Sequence, residues 1–301
     1  MSFPLVPCPV SLQPWQGYFQ GLTFGAGTQY PMLSIDAGFD MVGIASKDPQ
    51  FPRGEGELIG LDVGKGRDLD IDFWVAPVSG GTIQQLLLPL ATAFQVQGNI
   101  EQPMWLHLPG WGVLGFMVRT RKRAIKIDLD YSAASLAKPS IKVHATDPVA
   151  YGPVQSVTST GAQPVGGVSF PIAFPLTFAA VVGSFSATNN GNFRVYPVVT
   201  FYGPLDTPTL TIGSLQFQLY NPSQGSNPTV PAGQTVTVDM RLRTVLLNVT
   251  GTLQQSSVAS WVVAGSAFFS LPAATTTSIG FSTSSASTGY VTLQWADGFW
   301  L

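Results

Sequence analysis

From Arg67 to Val75 the chain reads RDLDIDFWV, and its polar and apolar positions alternate with a period of two. Asp68, Asp70 and Asp72 fall on one face of an extended strand, and Leu69, Ile71 and Phe73 on the other. Such alternation predicts a strand with one side in a core and the other in solvent. Carboxylates lined up on one face repel one another, so a compensating group is also expected nearby. Thr82–Gln97 follows a different period. Ile83, Leu86, Leu87, Leu90 and Phe94 make one stripe at helical spacing, which predicts an amphipathic helix packed on the sheet of its domain. Thr82 and Gln85 have capping-box spacing and Gly98 stands where a C-terminal glycine belongs, while Pro89 predicts a kink near Leu88.

Farther along, Arg119, Arg121 and Arg123 share a parity that Ile125, Ile127 and Leu129 then continue. One strand face cannot be basic and solvated, then apolar and buried, without a break. A bulge or turn is therefore expected near Ala124. Another strand is expected beyond Pro139, in SIKVHAT. From Val168 to Leu301 about eight strand-like runs are separated by clusters of Gly, Pro, Ser and Asn, the cadence of a β-sandwich or jelly roll. Asn189–Gly251 is the clearest part of that series.

A chain of 301 residues has room for about two domains. Glycine (32) and proline (24) are plentiful and helix-period segments few, which points to a mainly β protein. The expected divisions are an N-terminal domain at 1–152, a Ser/Thr/Gly/Pro linker at 153–167 and a C-terminal domain at 168–301. Charged residues make up 10% of the chain, against about 25% in typical globular domains. From Tyr151 onward the charges are Arg194, Asp206, Asp239, Arg241, Arg243 and Asp297 alone. A surface so poor in charge is either covered by neighbouring subunits or solvated by Ser, Thr, Gln and Asn. The net charge of −2 gives no electrostatic drive toward nucleic acid or membranes. The opening MSFPLVPCPV lacks a basic region and an unbroken apolar core, and Pro171 and Pro175 interrupt the most apolar run, Ser169–Phe185. Neither a signal peptide nor membrane insertion is expected.

Candidate chemistry is sparse. The single cysteine, Cys8, excludes an intrachain disulfide, and His107 and His144 stand without further histidine or cysteine at ligand spacing. No GxSxG, HExxH or Walker-type motif occurs, and Gly64-Lys65-Gly66 lacks the third glycine of a dinucleotide loop. The acidic rows Asp68/Asp70/Asp72 and Asp128/Asp130 form the one carboxylate constellation. A paired-carboxylate glycosidase would set two such groups across a cleft, and a calcium site would gather oxygens from a loop. The plainer expectation is a solvated or inter-subunit face on which Arg119, Arg121 and Arg123 match the acids. The basic run Arg119–Lys126 alone would suggest nucleic acid, but the equally dense acidic rows oppose that. No catalytic residue, cofactor or metal is assigned.

The order of short motifs in the second half resembles the C-terminal domain of distal tail proteins from long, non-contractile-tailed bacteriophages. Asn190-Gly191-Asn192 is followed by Tyr196-Pro197-Val198-Val199 and Gly203-Pro204, then Pro231-Ala232-Gly233-Gln234, Thr237-Val238-Asp239 and Arg243-Thr244-Val245. Trp261 precedes Gly265, and the series closes on Trp295-Ala296-Asp297-Gly298-Phe299-Trp300. The first half is similar more loosely, through Gly66-Arg67 before an alternating strand, the one helix, and Asp147-Pro148 with Tyr151-Gly152. The resemblance implies a mainly β chain with an N-terminal β-sandwich or split-barrel ring domain carrying one α-helix, then a C-terminal galectin-like β-sandwich. It implies a structural virion protein at the tail tip, made in the host cytoplasm, that forms a ring, a hexamer, with copies of itself. The implied partners are the tail tube protein, the baseplate hub or tail-associated protein, and a receptor-binding protein or host glycans. DNA would pass through the ring without specific binding. Asp68, Asp70, Asp72, Arg119, Arg121, Arg123, Asp128 and Asp130 would then belong to a lumen or inter-subunit face. The alternative is a tail-tip module that binds carbohydrate through its second domain; a glycoside hydrolase using the acidic rows is a weaker third. Fold alone does not decide between them.

Overall fold

The computed structural model describes residues 6–36, 43–46, 48, 55, 60, 62–77, 82–96, 98–160, 182–223, 229–249, 255–285 and 287–301. Among these, the chain divides into an N-terminal unit of Val6–Pro153 with Phe299–Leu301, and a C-terminal unit of Val154–Gly298. The chain is mainly β, as its glycine, proline and alternating runs predict.

In the N-terminal unit the strands are β1 (Gln16–Phe19), β2 (Leu22–Gly25), β3 (Met32–Asp36), β4 (Ile44–Ala45), β5 (Val63–Gly64), β6 (Arg67–Phe73), β7 (Gln102–Leu108), β8 (Gly112–Ile125) and β9 (Pro139–Ala145). Helix α1 (Ile83–Ala93) lies between β6 and β7, and a short α2 (Leu129–Ala134) between β8 and β9. Antiparallel pairing runs β2-β1-β7-β8-β9-β6-β3, with the long β8 shared between β7 and β9. β4 and β5 form a separate ribbon. One apolar cluster takes side chains from both ends of this series: Phe19 and Phe24 from β1 and β2, Leu69, Ile71 and Phe73 from β6, and Ile141 and Val143 from β9. The sheet therefore curls around a single core.

Helix α1 fills that core with the stripe its sequence predicts. Ile83, Leu86, Leu87, Leu90 and Phe94 all lie in or against the cluster. Thr82 and Gln85 close the capping box: Thr82 Oγ1 accepts from the Gln85 backbone and Gln85 Oε1 from the Thr82 backbone. Pro89 lies within α1 without splitting it. The helix stops short of the expected Gln97–Gly98 end, because Phe94 turns out of helical geometry as C-cap and goes into the core. Its ring stacks on Phe19 at 4.9 Å and meets Phe24 and Phe73 at 5.9 and 6.0 Å. Phe94 is the hub of this aromatic group.

The break expected near Ala124 comes slightly earlier, as a register shift between Thr120 and Lys122. Beyond it Arg123 pairs with Ile141 and Ile125 with Pro139, so both take the core parity. The chain leaves the sheet before Ile127 and Leu129, which are 76% and 77% exposed rather than buried. The alternation through Asp128 and Asp130 is not a strand: Asp128 caps α2 by accepting from the Tyr131 backbone at 3.1 Å, and Asp130 lies in its first turn.

Strand β10 (Ala150–Thr160) begins in the N-terminal unit, where Tyr151 pairs with Gly115, and continues past the Pro153–Val154 boundary. The stretch 153–167 expected as a linker is thus strand as far as Thr160; residues 161–181 lie outside the described residues. The C-terminal unit continues with β11 (Val182–Asn189), β12 (Val198–Tyr202), β13 (Thr209–Ile212), β14 (Leu215–Gln218), β15 (Gln234–Asp239), β16 (Thr244–Val249), β17 (Gln255–Ser257), β18 (Thr275–Ser282) and β19 (Tyr290–Phe299). One sheet has the order β17-β16-β15-β12-β19-β10 and the other β11-β18-β13-β14. Val199, Phe201, Val236, Val238, Val291 and Leu293 of the first sheet and Leu210, Phe217, Ile279 and Phe281 of the second are buried. Phe201 meets Phe281 at 6.5 Å. This is a β-sandwich.

A polar knot pins one end of it. The buried Asn189 side-chain amide donates to the carbonyls of Phe193 and Pro272, and its Oδ1 accepts from the Gly191 and Gly298 backbones. Asp297, 8% exposed, accepts from both the backbone and the side chain of Asn190 at 3.0 Å. Gly191 is obligatory there, since a Cβ would sit 1.9 Å from the Gly298 carbonyl oxygen.

Two stability predictions follow from these cores. Phe94→Ala should cost about 3–5 kcal/mol in denaturant unfolding, while Leu88→Ala, on the 70% exposed side of the same helix, should stay within about 0.5 kcal/mol; equal losses would show that α1 is not seated by Phe94. Asp297→Ala strands two donors of Asn190 and should cost about 1–3 kcal/mol, read from unfolding followed by the fluorescence of neighbouring Trp295.

Candidate functional site

The alternation of β6 puts Leu69, Ile71 and Phe73 inward and Asp68, Asp70 and Asp72 outward. Strand β9 has the same design: Ile141, Val143 and Ala145 face the core, so Ser140, Lys142 and His144 face out. The β6–β9 register sets Asp68 opposite His144, Asp70 opposite Lys142 and Asp72 opposite Ser140. Each acid is met. His144 Nδ1 lies 2.6 Å from Asp68, and Lys142 lies 3.1 Å from Asp70 and 4.0 Å from Asp68. Asp72 accepts from Ser34 Oγ of β3 at 3.1 Å. Asp36 of β3 is opposite Asp70 in the ladder, so two carboxylates are neighbours there. Lys142 offsets them: its hydrogen bond and charge contact with Asp70, with a further contribution from Asp68, hold its ammonium above the ordinary lysine pKa against a small opposing effect of burial.

On the far side of β9, Arg119 is opposite His144 and Lys122 is opposite Lys142. The outer face of β3-β6-β9-β8 is therefore divided. Carboxylates occupy β3 and β6, and basic or imidazole groups occupy β9 and β8.

Of the eight charged residues singled out from sequence, Asp68, Asp70, Asp72 and Arg119 share this face. Arg121 falls at the bulge, between the register partners Thr120 and Lys122. Arg123 is turned to the opposite face, where its guanidinium donates to the Ala91 carbonyl near the C-terminal end of α1. Asp128 and Asp130 are elsewhere, in α2, with Lys126 at 3.5 Å from the first and Lys138 at 3.0 Å from the second. The Asp128 carboxyl is held below its usual range chiefly by the hydrogen bond from Tyr131. The partners that matter most, Lys142 and His144, were legible only as polar positions between Ile141, Val143 and Ala145; the spacing of two that they share with Asp68 and Asp70 is the signal.

Three further polar groups have structural partners. His107 Nδ1 lies 2.8 Å from the Leu12 carbonyl. Both oxygens of Asp297 are engaged by Asn190, and the indole of Trp295 donates to the Thr188 carbonyl at 2.9 Å. Asp297 is the charged group on which a saccharide site beside these tryptophans would rest, and it is already bound. Among the described residues no group of three or more His, Cys, Asp or Glu could hold a metal ion, and no helix is long and apolar enough to cross a membrane.

No family model matches the chain, and no curated protein matches it. Solved structures do. The Dit protein (gp 19.1) of phage SPP1, described as a paradigm of hub adsorption apparatus in phages that infect Gram-positive hosts, aligns over 94% of this chain and 98% of its own, at 13% identity and a TM-score of 0.59. In fold, this is a Dit-like chain. Chains from the phage p2 baseplate in its activated conformation, with Sr and with Ca, align over 93% of this chain and 97% of theirs, at 7% and 6% identity and TM-scores of 0.48 and 0.49. The Dit-like fold accounts for both units of this chain, since the alignment leaves little of either outside it.

The raised pKa of Lys142 gives a pH test. A raised folded-state pKa contributes stability that is complete below the unfolded value, about 10.4, and is lost as pH rises through the folded one. The 301-residue chain should lose stability in that alkaline window, and Lys142→Met should lose less across it. Urea midpoints at pH 9 and 11 decide the matter; identical pH dependence in both proteins would remove Lys142 from its place opposite Asp70.

Proposed function

We propose that the chain is a structural virion protein of a bacteriophage tail tip, a ring-forming subunit that joins the tail tube to the baseplate hub and to receptor-binding parts. The correspondence with SPP1 Dit over nearly the whole of both chains carries this reading. The scarcity of charge from Tyr151 onward fits a protein that spends its working life covered by neighbours. No catalytic role is part of the proposal. On the outer face of β6, Asp68, Asp70 and Asp72 are already matched by His144, Lys142 and Ser34.

The divided face of the N-terminal unit supplies a mode of assembly. A patch with acids on one side and bases on the other complements a translated or rotated copy of itself. The acidic strands of one copy then meet the basic strands of the next, a head-to-tail contact that closes into a ring when the rotation allows. This favours the inter-subunit role for Asp68, Asp70, Asp72 and Arg119 over a channel lining. A lumen lined by Lys122, Lys142 and Arg119 beside the acids would be near neutral and would not repel passing DNA.

Purified protein should form particles of several times the 32.0 kDa chain mass, six times for a hexamer, visible as rings in micrographs. A strictly monomeric species at high concentration would sink the proposal. Asp68→Lys with Asp70→Lys should block assembly, as should Lys122→Asp with Lys142→Asp, and mixing the two double variants should restore rings. Assembly that is indifferent to these changes would move the interface elsewhere.

A further inference from the structure

Residues 299–301, Phe-Trp-Leu, belong to the N-terminal unit, far in sequence from everything they touch there. Three features of that unit receive them. Gly64, in β5, lies under the Trp300 ring so closely that a Cβ would stand 2.2 Å from Trp300 Cη2. Any larger residue would close the slot. Trp111, in the turn between β7 and β8, meets the Phe299 ring edge-on at 6.2 Å and 87°. Arg67, on the inward parity of β6 and 4% exposed, donates from its guanidinium to the Leu301 carbonyl. Phe299 and Leu301 also rest against the apolar cluster of the unit.

A buried guanidinium needs acceptors, because removing it from water is costly unless its donors are bonded. The alternation that places Leu69, Ile71 and Phe73 in the core places Arg67 on the same side. A strand designed for packing alone would carry an apolar residue there. Arg67 instead offers a fixed fork of donors to a backbone carbonyl, beside a glycine floor and an aromatic edge. That set, with aromatic anchors, a floor free of side chains and one charge-assisted bond to main chain, is how short peptides are recognised. The occupant is only partly enclosed. Phe299, Trp300 and Leu301 all remain partly exposed, and so does Trp111.

We infer that Gly64, Arg67 and Trp111 form a peptide-docking slot for an aromatic–aromatic–aliphatic segment, and that residues 299–301 of the same chain fill it as an exchangeable plug. The inference stands whether or not copies of the chain assemble.

The test uses a fluorescein-labelled peptide of residues 295–301, WADGFWL. It should bind the 301-residue chain carrying Phe299→Ser and Trp300→Ser at least about tenfold more tightly than the unaltered chain, whose slot is filled. Adding Gly64→Val to the emptied variant should abolish binding. An emptied variant that melts like the unaltered chain yet binds the peptide no better overturns the inference. Should that variant not fold, the unaltered chain decides. Excess peptide should then speed hydrogen exchange at the Trp300 and Leu301 amides by about tenfold or more, while Met104–Leu108 stays protected. Exchange at Trp300 and Leu301 that is unmoved by peptide also overturns it.

Discussion

The antiparallel pairing of β6 with β9 is the constraint on which the N-terminal unit depends. One register does two things at once. It brings Leu69, Ile71 and Phe73 together with Ile141, Val143 and Ala145 on the inner side. On the outer side it sets Asp68 and Asp70 against His144 and Lys142. A slip of β6 by one residue would expose Leu69, Ile71 and Phe73 and turn its carboxylates into the core, so packing and charge select the same alignment. The outer contacts are individually small, being solvent-exposed pairs. Their value lies in specificity, since the native register is the one that sets Asp68 opposite His144 and Asp70 opposite Lys142.

The C-terminal unit solves the same problem with almost no charge. Its alignment rests on the sandwich core and on hydrogen bonds rather than ion pairs, above all the knot of Asn189, Asn190, Gly191 and Asp297. That knot explains why NNGN and WADG, short and separated by about a hundred residues of chain, carry a resemblance between sequences. Each piece is meaningless alone. Asn189 accepts from the Gly298 backbone, and the Gly298 carbonyl can approach only because Gly191 has no Cβ. A carboxylate between tryptophans invites a binding-site reading, and its two bonds to Asn190 show it to be a fastener.

What could be read from the sequence was local. The period of two in RDLDIDF gave β6 and its faces, and the stripe from Ile83 to Phe94 with its Thr82–Gln85 box gave α1. Errors arose where a period continued across a change of structure. The alternation Arg119, Arg121, Arg123 runs on through a bulge that reverses its faces, and Ile127, Asp128, Leu129 and Asp130 keep the beat while the chain is turning into α2. The division of charge across the sheet was hidden for another reason. It is a relation between β6, β9 and β8, which are separate segments of the chain, and local periodicity contains no information on which strands are neighbours. The docking of residues 299–301 on Gly64 and Arg67 is hidden in the same way, at a separation of more than half the chain.

Helix α1 has no acidic residue in its first turn and no basic residue in its last. Its C-terminal carbonyls would ordinarily attract a lysine or arginine from the helix itself. Here the cation comes from β8, and Arg123 reaches Ala91 only because the bulge at Arg121 has turned it to the inner side. One extra residue in a strand thus supplies the cation for the end of a helix more than thirty positions earlier in the chain. The two features should be inherited together. Among chains of this fold, those that lose the bulge should acquire a basic residue in the last turn of the helix, and those that keep it are free to leave that turn neutral.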